Sequence, residues 1–201
     1  MPFKDLSKAA AWKFIILVGV VSLFSDLTYE GARSITGPFL GSLKASAAVV
    51  GIVAGLGEFI GYALRLASGY LTDRLGKYWA ITFAGYALNL FAVPLLALAG
   101  NWELAALLMV MERLGKAIRT PARDAMLSHA TTEVGRGWGF GFHEAMDQIG
   151  AMLGPLIVAL VLYVNGGYRT AFAYLLIPAI LALLVIVIAA RLYPHPQHLE
   201  V

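Results

Sequence analysis

The sequence predicts an all-α integral membrane protein with six transmembrane helices. Of its 201 residues, 60% are hydrophobic and 13% are charged, and the mean hydropathy is +0.76. Soluble domains carry about 25% charged residues, so this chain cannot cover itself with a polar surface in water. A transmembrane helix needs about 20 residues, and the length therefore accommodates about six spans with short connections. The absence of cysteine excludes disulfides, thiolate zinc sites and cysteine nucleophiles.

Stretches without charge mark three of the six helices. Residues 78–102, 148–168 and 170–190 contain no Asp, Glu, Lys or Arg, and each is long enough to cross about 30 Å of hydrocarbon. Three further apolar stretches are interrupted by ionisable residues. We therefore predict one six-helix transmembrane domain over residues 1–198. Its helices are predicted at about 13–38, 47–71, 78–100, 102–123, 138–163 and 169–192.

The distribution of Lys and Arg predicts the orientation of these helices. Ten basic residues fall on the side of the N-terminus, the second loop, the fourth loop and the C-terminus, and three fall on the other side. The positive-inside rule then places both termini in the cytoplasm of a multi-pass protein of the cell inner or plasma membrane. The last three residues, 199–201, match the start of a commonly engineered protease site and are a candidate tag remnant.

Several ionisable residues lie inside the predicted spans, and six of them form a candidate set. A charge at the bilayer centre costs at least about 2.5–3.5 kcal/mol, so it normally faces a cavity or a partner. Asp26, Glu30 and Arg33 are spaced i, i+4, i+7 and share one face of the first helix. We predict that the set lines a polar cavity and couples to protons, and the alternative is buried ion pairs that hold helices together. The set is Asp26, Glu30, Arg33, Glu58, Glu112 and Arg113.

The loop between the second and third helices carries the most informative motif. Residues 69–77 read Gly-Tyr-Leu-Thr-Asp-Arg-Leu-Gly-Lys, which resembles the signature of the major facilitator superfamily in position and in residue types. Gly69 permits close helix contact and Gly76 permits a tight turn, while Asp73 offers a carboxylate to a helix N-terminus. We interpret Gly69, Asp73, Arg74, Gly76 and Lys77 as a gating motif.

The fifth predicted helix carries a second resemblance. Its Gly-Ala-Met-Leu-Gly-Pro segment at 150–155 is similar to the fifth-helix motif that the family's antiporters share, but Val158 and Ala159 stand where that motif prefers glycines. The alternative is a small-residue packing face with a proline kink. Arg113 is followed by Leu-Gly, which loosely resembles the family's fourth-helix motif. The predicted interface residues of this helix are His143, Glu144, Asp147, Gly150, Gly154 and Pro155.

The resemblance implies that the chain corresponds to the N-terminal half of a twelve-helix molecule. Such molecules consist of two six-helix halves related by an axis along the membrane normal. In that arrangement the first and fourth helices line the cavity, the second and fifth form the interface between halves, and the third and sixth are peripheral. A lone half would expose charges to lipid at a cost on the order of 10 kcal/mol. The expected partner is therefore a second, parallel copy, or a missing C-terminal half of a longer chain.

The resemblance also implies a function. We expect a secondary active transporter of a small solute that works by alternating access and is coupled to protons, with antiport favoured. Asp26 and Glu58 are the favoured proton carriers, because both lie near mid-span without a basic neighbour in sequence. No enzyme activity, cofactor, metal or nucleic acid is expected. The alternatives are a non-transporting assembly or receptor module of the same fold and, remotely, a metalloprotease suggested by His143-Glu144 and Asp147.

Overall fold

A computed structural model describes residues 2–199, so residues 200 and 201 of the candidate tag remnant lie outside the described residues. The described chain is helical almost throughout, and short connections join successive helices. Two 3-10 turns, Leu96–Leu98 and Pro196–Leu199, follow the third and the last α-helix. The α-helices of this range are α1 (Pro2–Ser42), α2 (Ala47–Leu75), α3 (Tyr78–Leu95), α4 (Trp102–Val134), α5 (Arg136–Asn165), α6 (Tyr168–Tyr174) and α7 (Leu176–Leu192).

Short polar residues and glycines set where these helices begin and end. Ser46 accepts a hydrogen bond from the backbone N–H of Val49 at the start of α2, and Asn101 caps α4 in the same way. Gly76 ends α2 in the left-handed region, with φ of 63°. Its N–H donates to the carbonyl oxygen of Thr72 at 2.9 Å, so the tight turn predicted at Gly76 is present.

The sixth predicted helix is interrupted near its start, where α6 gives way to α7. Pro178 lacks the N–H that would bond to the carbonyl of Tyr174, and its ring crowds that carbonyl. Leu175 between the two helices keeps right-handed helical dihedral angles, with φ of −67° and ψ of −9°. The two helices therefore form one continuous apolar rod over Tyr168–Leu192.

Five helical rods of the described chain are long and apolar enough to cross a membrane, and α4 is not among them. The reason is its charge, because its 33 residues include eight Asp, Glu, Lys and Arg. It nevertheless lies in the middle of the bundle, in contact with α1, α2, α3 and α5. The six-span topology and the cytoplasmic placement of the termini stay predictions.

The predicted extent of the fourth helix is wrong at its C-terminal end. We expected a loop to follow residue 123, but α4 continues to Val134. Lys116, Arg119 and Arg123, which the count of basic residues placed at a loop, instead lie inside the bundle, and Arg119 is fully buried. At 1.5 Å per residue α4 is about 50 Å long, well beyond the roughly 30 Å of hydrocarbon.

Aromatic and polar contacts tie the helix termini together at both ends of the bundle. At one end, Phe14 of α1 packs edge-on against Trp79 of α3 and against Tyr193, which follows α7. Trp79 also donates its indole N–H to the carbonyl oxygen of Tyr193 at 2.8 Å. At the other end, Phe39 packs against Phe172. The loop before α4 is held by Arg169, which donates to the carbonyl oxygen of Ala99 at 2.9 Å.

Helices α1 and α5 touch backbone to backbone through glycines. A Cβ atom at Gly150 would collide with the carbonyl oxygen of Leu23, and one at Gly154 would collide with that of Leu27 and lie 2.7 Å from the nitrogen of Gly31. No side chain larger than hydrogen fits at these positions without separating the helices. Within the six-helix unit, the Gly-X-X-X-Gly-Pro segment is thus a packing face toward α1.

Helices α2 and α5 leave broad apolar surfaces uncovered. Helix α2 contacts mainly α4, where Ser68 donates a hydrogen bond to the carbonyl oxygen of Ala117 at 2.7 Å. Only 6% of its most apolar stretch is buried, and the figure for α5 is 22%. The large exposed side chains include Ile52, Leu56, Phe59, Tyr62, Leu66 and Tyr70 on α2, and Ile149, Met152, Leu156, Leu160 and Tyr163 on α5.

The glycine contact between α1 and α5 generates a stability prediction. Replacing Gly154 by Ala should lower the thermal unfolding temperature in detergent, because the new methyl group pushes α1 away at a cost of about 1–3 kcal/mol. Gly141 lies on the same helix with open space around its Cβ position, so Gly141→Ala should be neutral or stabilising by up to about 1 kcal/mol. Equal unfolding temperatures for the two variants would contradict the close contact.

Candidate functional site

The candidate site is organised around α4. Arg113, Lys116, Arg119 and Arg123 recur every three or four residues and therefore lie along one side of the helix, and Glu112 directly precedes Arg113. Glu112, Arg119 and Arg123 are buried, and the other two are half-buried. Charges in such surroundings require partners, because desolvation of an unpaired charge costs several kcal/mol.

Arg113 pairs with Glu58 of α2. The cost of an unpaired charge at mid-span predicts a carboxylate partner for Arg113 on the first, second or fourth helix. In the structure its guanidinium donates to the carboxylate oxygen of Glu58 of α2. The side chain crosses α2 at Gly57, where a Cβ atom would lie 2.6 Å from Cδ of Arg113. Arg33 of α1 lies 3.3 Å from the same carboxylate, and Glu30 lies 3.8 Å from Arg33. The structure therefore joins α1, α2 and α4 through one shared carboxylate.

Asp26 of α1 is surrounded by basic groups of α4. Its Oδ1 lies 3.4 Å from Nη2 of Arg119 and 3.9 Å from Nζ of Lys116. The ammonium of Lys116 also lies 3.6 Å from the ring centroid of Tyr29, and the guanidinium of Arg119 lies 4.3 Å from that of Tyr86. Both distances are typical of cation–π contacts. Asp26 and Glu58 were favoured because no basic residue adjoins them in sequence, and in three dimensions that reason does not hold.

Glu112 has a different environment. Among the described residues, no Lys or Arg nitrogen lies within 4.0 Å of its carboxylate. Its contact is with the amide of Asn89 on α3, which donates to Oε1 at 2.6 Å. As adjacent helical residues should, Glu112 and Arg113 point in different directions, toward α3 and α2. Glu112 also lines a cavity of about 10 Å³, which has room for about one water molecule. The cavity is lined by Tyr29, Ala32, Arg33, Thr36, Val93, Leu96, Met109, Glu112 and Arg113.

A second polar cluster joins α1, α4 and α5. His143 Nε2 lies 2.8 Å from the hydroxyl oxygen of Ser22, and Arg123 donates to that same oxygen at 3.2 Å. Asp147 lies 3.8 Å from Nδ1 of His143 and 3.9 Å from Arg123. Glu144 instead is exposed and accepts a hydrogen bond from Gln148. Nowhere in the described range do three His, Asp or Glu side chains form a group that could hold a metal.

The predicted gating loop lies at one end of the bundle, apart from these clusters. Gly69 faces Pro121 of α4, with 3.6 Å between its Cβ position and Cβ of the proline. Asp73, Arg74 and Lys77 are exposed. The loop therefore presents its carboxylate outward.

Sequence reasoning missed several residues of the site. Asn89 and Tyr86 lie on α3, which the family arrangement led us to expect at the periphery, yet both are fully buried next to α4. Ser22 was likewise not singled out. For the basic residues at 113–123, the sequence did contain a signal that they lie on a helix. They recur every three or four residues, and a loop does not require such a period.

Comparison with known proteins establishes the family. The family model described as Major Facilitator Superfamily matches residues 17–201, which is most of the chain. The chain belongs to the Major Facilitator Superfamily. It is therefore a multi-pass membrane protein of a family whose members carry small molecules across membranes and are generally not enzymes.

Individual relatives of the chain include one named an MFS-type transporter and one named a multidrug resistance protein. The uncharacterized protein Rv2265 of Mycobacterium tuberculosis is 50% identical over 95% of this chain and 47% of its own length. The uncharacterized MFS-type transporter MJ1317 of Methanocaldococcus jannaschii is 31% identical over 87% of this chain and 43% of its own length. The multidrug resistance protein MdtG of Proteus mirabilis is 28% identical over 67% and 33%, respectively. The chain spans about half the length of the first of these relatives.

The two arginines that share Glu58 allow a matched test. Removing Arg113, whose side chain is 14% exposed, should lower the free energy of unfolding by up to about 3 kcal/mol. This is the lower end for a buried pair, since Glu58 keeps Arg33. Removing Arg33, which is 49% exposed, should cost about 0–1 kcal/mol. Denaturant titration of the purified Arg113→Ala, Arg33→Ala and Glu58→Gln variants measures these differences. Equal costs for the two arginine variants would show that the Arg113–Glu58 pair is not the stronger contact.

Proposed function

We propose that the protein is the cavity-lining six-helix half of a proton-coupled secondary active transporter, with Glu112 as the group that takes up and releases the proton. One observation carries the proposal: Glu112 is a buried carboxylate on the central helix that contacts an amide and a cavity but no basic group of the described chain. Glu112 therefore forms no ion pair within 4.0 Å among the described residues, and binding a proton removes its charge without breaking such a pair. Membership of the family supports the transport of a small solute.

Asp26 and Glu58 take a different part in this proposal. Each is already compensated by two cations, Arg119 and Lys116 for Asp26, and Arg113 and Arg33 for Glu58. A proton on either carboxylate would break contacts that hold α1, α2 and α4 together. They are thus better suited to exchanging ion-pair partners during the conformational change than to carrying the proton.

Antiport is the favoured mode of coupling. It is supported by the Gly-X-X-X-Gly-Pro segment of α5 and by the relative named a multidrug resistance protein. In an antiporter, Glu112 gives its proton to the side of the membrane from which the solute binds. Alternating access requires two conformations, and the charge state of Glu112 biases the equilibrium between them.

A second six-helix unit completes the transporter. The uncovered apolar surfaces of α2 and α5 support this, because exposed patches of this size normally mark interfaces or lipid contacts. The second unit is a parallel copy of this chain, and the same surface would accept a following half on a longer polypeptide, for which relatives of about twice the length provide the precedent. The molar mass of the purified chain in detergent, measured by light scattering, distinguishes the copy from the monomer.

The proposed topology has six spans with both termini in the cytoplasm of the cell membrane. The charged helix α4 is included as a span because the surrounding helices bury or half-bury its charges between residues 112 and 123. With Lys116, Arg119 and Arg123 assigned to α4, the remaining basic residues still favour the same side by seven to three. Accessibility of single cysteines introduced into the loops tests this orientation.

The proposed proton-carrying role of Glu112 can be tested by substitution. In vesicles containing the complete transporter, Glu112→Gln should abolish ethidium transport driven by a pH gradient, because glutamine cannot exchange a proton. Glu103→Gln lies on the same helix at an exposed position and should leave transport unchanged. Transport by Glu112→Gln at the wild-type rate would refute the assignment.

The proposed gating role of Asp73 in the α2–α3 loop can also be tested by substitution. The start of α5 has no side-chain cap, and Gly137 and Gly141 leave open space around it. Asp73 of one half approaching this helix start in the other would gain about 0.3–1 kcal/mol at each contact. Asp73→Asn should therefore weaken closure at the loop end and lower turnover more than solute affinity.

Distances between paired spin labels on the α2–α3 loop and on the helix start of the second half measure this closure. Lys44→Gln at the opposite end of the bundle is the matched control. Identical distance distributions for wild type and Asp73→Asn at every pH would show that the loop is not a gate.

A further inference from the structure

Asn89 on α3 is the polar side chain that contacts the Glu112 carboxylate. It is fully buried, and its amide nitrogen donates both to Oε1 of Glu112 at 2.6 Å and to the backbone carbonyl oxygen of Glu112 at 2.9 Å. The second bond fixes the amide relative to the backbone of α4. The donor is therefore held at the carboxylate by two contacts.

The backbone packing of α3 against α4 keeps Asn89 in this place. A Cβ atom at Gly115 would collide with the backbone nitrogen of Asn89, and one at Gly85 would lie 2.6 Å from the backbone nitrogen of Arg119. The two helices thus approach as closely as glycines permit next to the Asn89–Glu112 contact. This packing holds the backbone of Asn89 against α4.

The other end of the same amide is unused. Oδ1 of Asn89 is buried and has no hydrogen-bond partner among the described residues. The nitrogen end therefore makes both of the amide's contacts with α4. An N–H donor suits the carboxylate form of Glu112 best, and it can also donate to the carbonyl oxygen of the protonated form.

We propose that Asn89 is the positioning residue of Glu112: its amide N–H donates to a carboxyl oxygen of Glu112 in both protonation states, and more strongly to the charged form. The proton moves between water in the cavity and a carboxyl oxygen of Glu112, and no other bond forms or breaks. This inference rests on the proposed function of Glu112 as the proton carrier. It assigns a role to α3, which contributes no ionisable group.

Infrared spectroscopy of the full chain in lipid bilayers, titrated with pH, tests the proposal without a transport assay. The carbonyl stretch of a protonated carboxyl group is assigned to Glu112 by its loss in Glu112→Gln. In Asn89→Leu the band should move to higher frequency and appear at a pH at least about 1 unit higher, because the donor that favours the charged form is gone. Thr82→Val, at a buried position of the same helix without contact to Glu112, should change neither quantity.

A second variant covers the case in which Asn89→Leu does not fold. Asn89→Ala removes the amide donor without adding bulk or a second carboxyl group, and it should shift the band in the same direction. An Asn89→Leu or Asn89→Ala band that matches Thr82→Val in frequency and pH midpoint overturns the role of Asn89. A shifted band together with undiminished pH-driven transport by Glu112→Gln sustains the positioning role and refutes proton coupling. The absence of any Glu112 band in the wild type overturns both proposals.

Discussion

Charges inside an apolar helix bundle must be neutralised locally, and in this chain the requirement is concentrated on α4. Its basic side chains reach three different helices, Arg113 to α2, Arg119 to α1 and Arg123 to α1 and α5. Each contact restricts the rotation of α4 about its own axis, so the ion pairs together determine which side of α4 faces each neighbouring helix. Apolar packing alone cannot do this as well, because lipid is as apolar as the side chains that face it.

Glycines make these polar contacts geometrically accessible. Gly57 lets the Arg113 side chain cross α2, and Gly115 lets α3 come close enough for the Asn89 amide to reach Glu112. Gly154 likewise lets α5 approach α1 closely, and His143 and Ser22 contact each other across the same pair of helices. Small residues and charged residues therefore operate as pairs in this fold, one providing the approach and the other the interaction.

The sequence predicted the helical membrane fold, the family and the pairing of Arg113, because those depend on composition, local motif and the high cost of an unpaired mid-span charge. It did not predict that α4 continues past residue 123. Closely spaced charges normally indicate the end of a transmembrane helix, but here other helices surround the charged segment and the helix continues. It also missed Asn89, because an uncharged amide carries no mark in a hydropathy pattern until its neighbour is known. Which neighbouring helix a side chain contacts depends on tertiary packing, and hydropathy along the sequence does not contain that information.

The placement of so many charges on α4 has a consequence for biosynthesis. An isolated helix with five charges between residues 112 and 123 would be rejected by the insertion machinery, since each charge at the centre costs about 2.5–3.5 kcal/mol. The partners Asp26, Glu58 and Asn89 all precede α4 in the chain, so under the proposed six-span topology they enter the bilayer before α4 does. The order of the sequence is thus also an order of assembly, in which the first three helices form the template that admits the fourth.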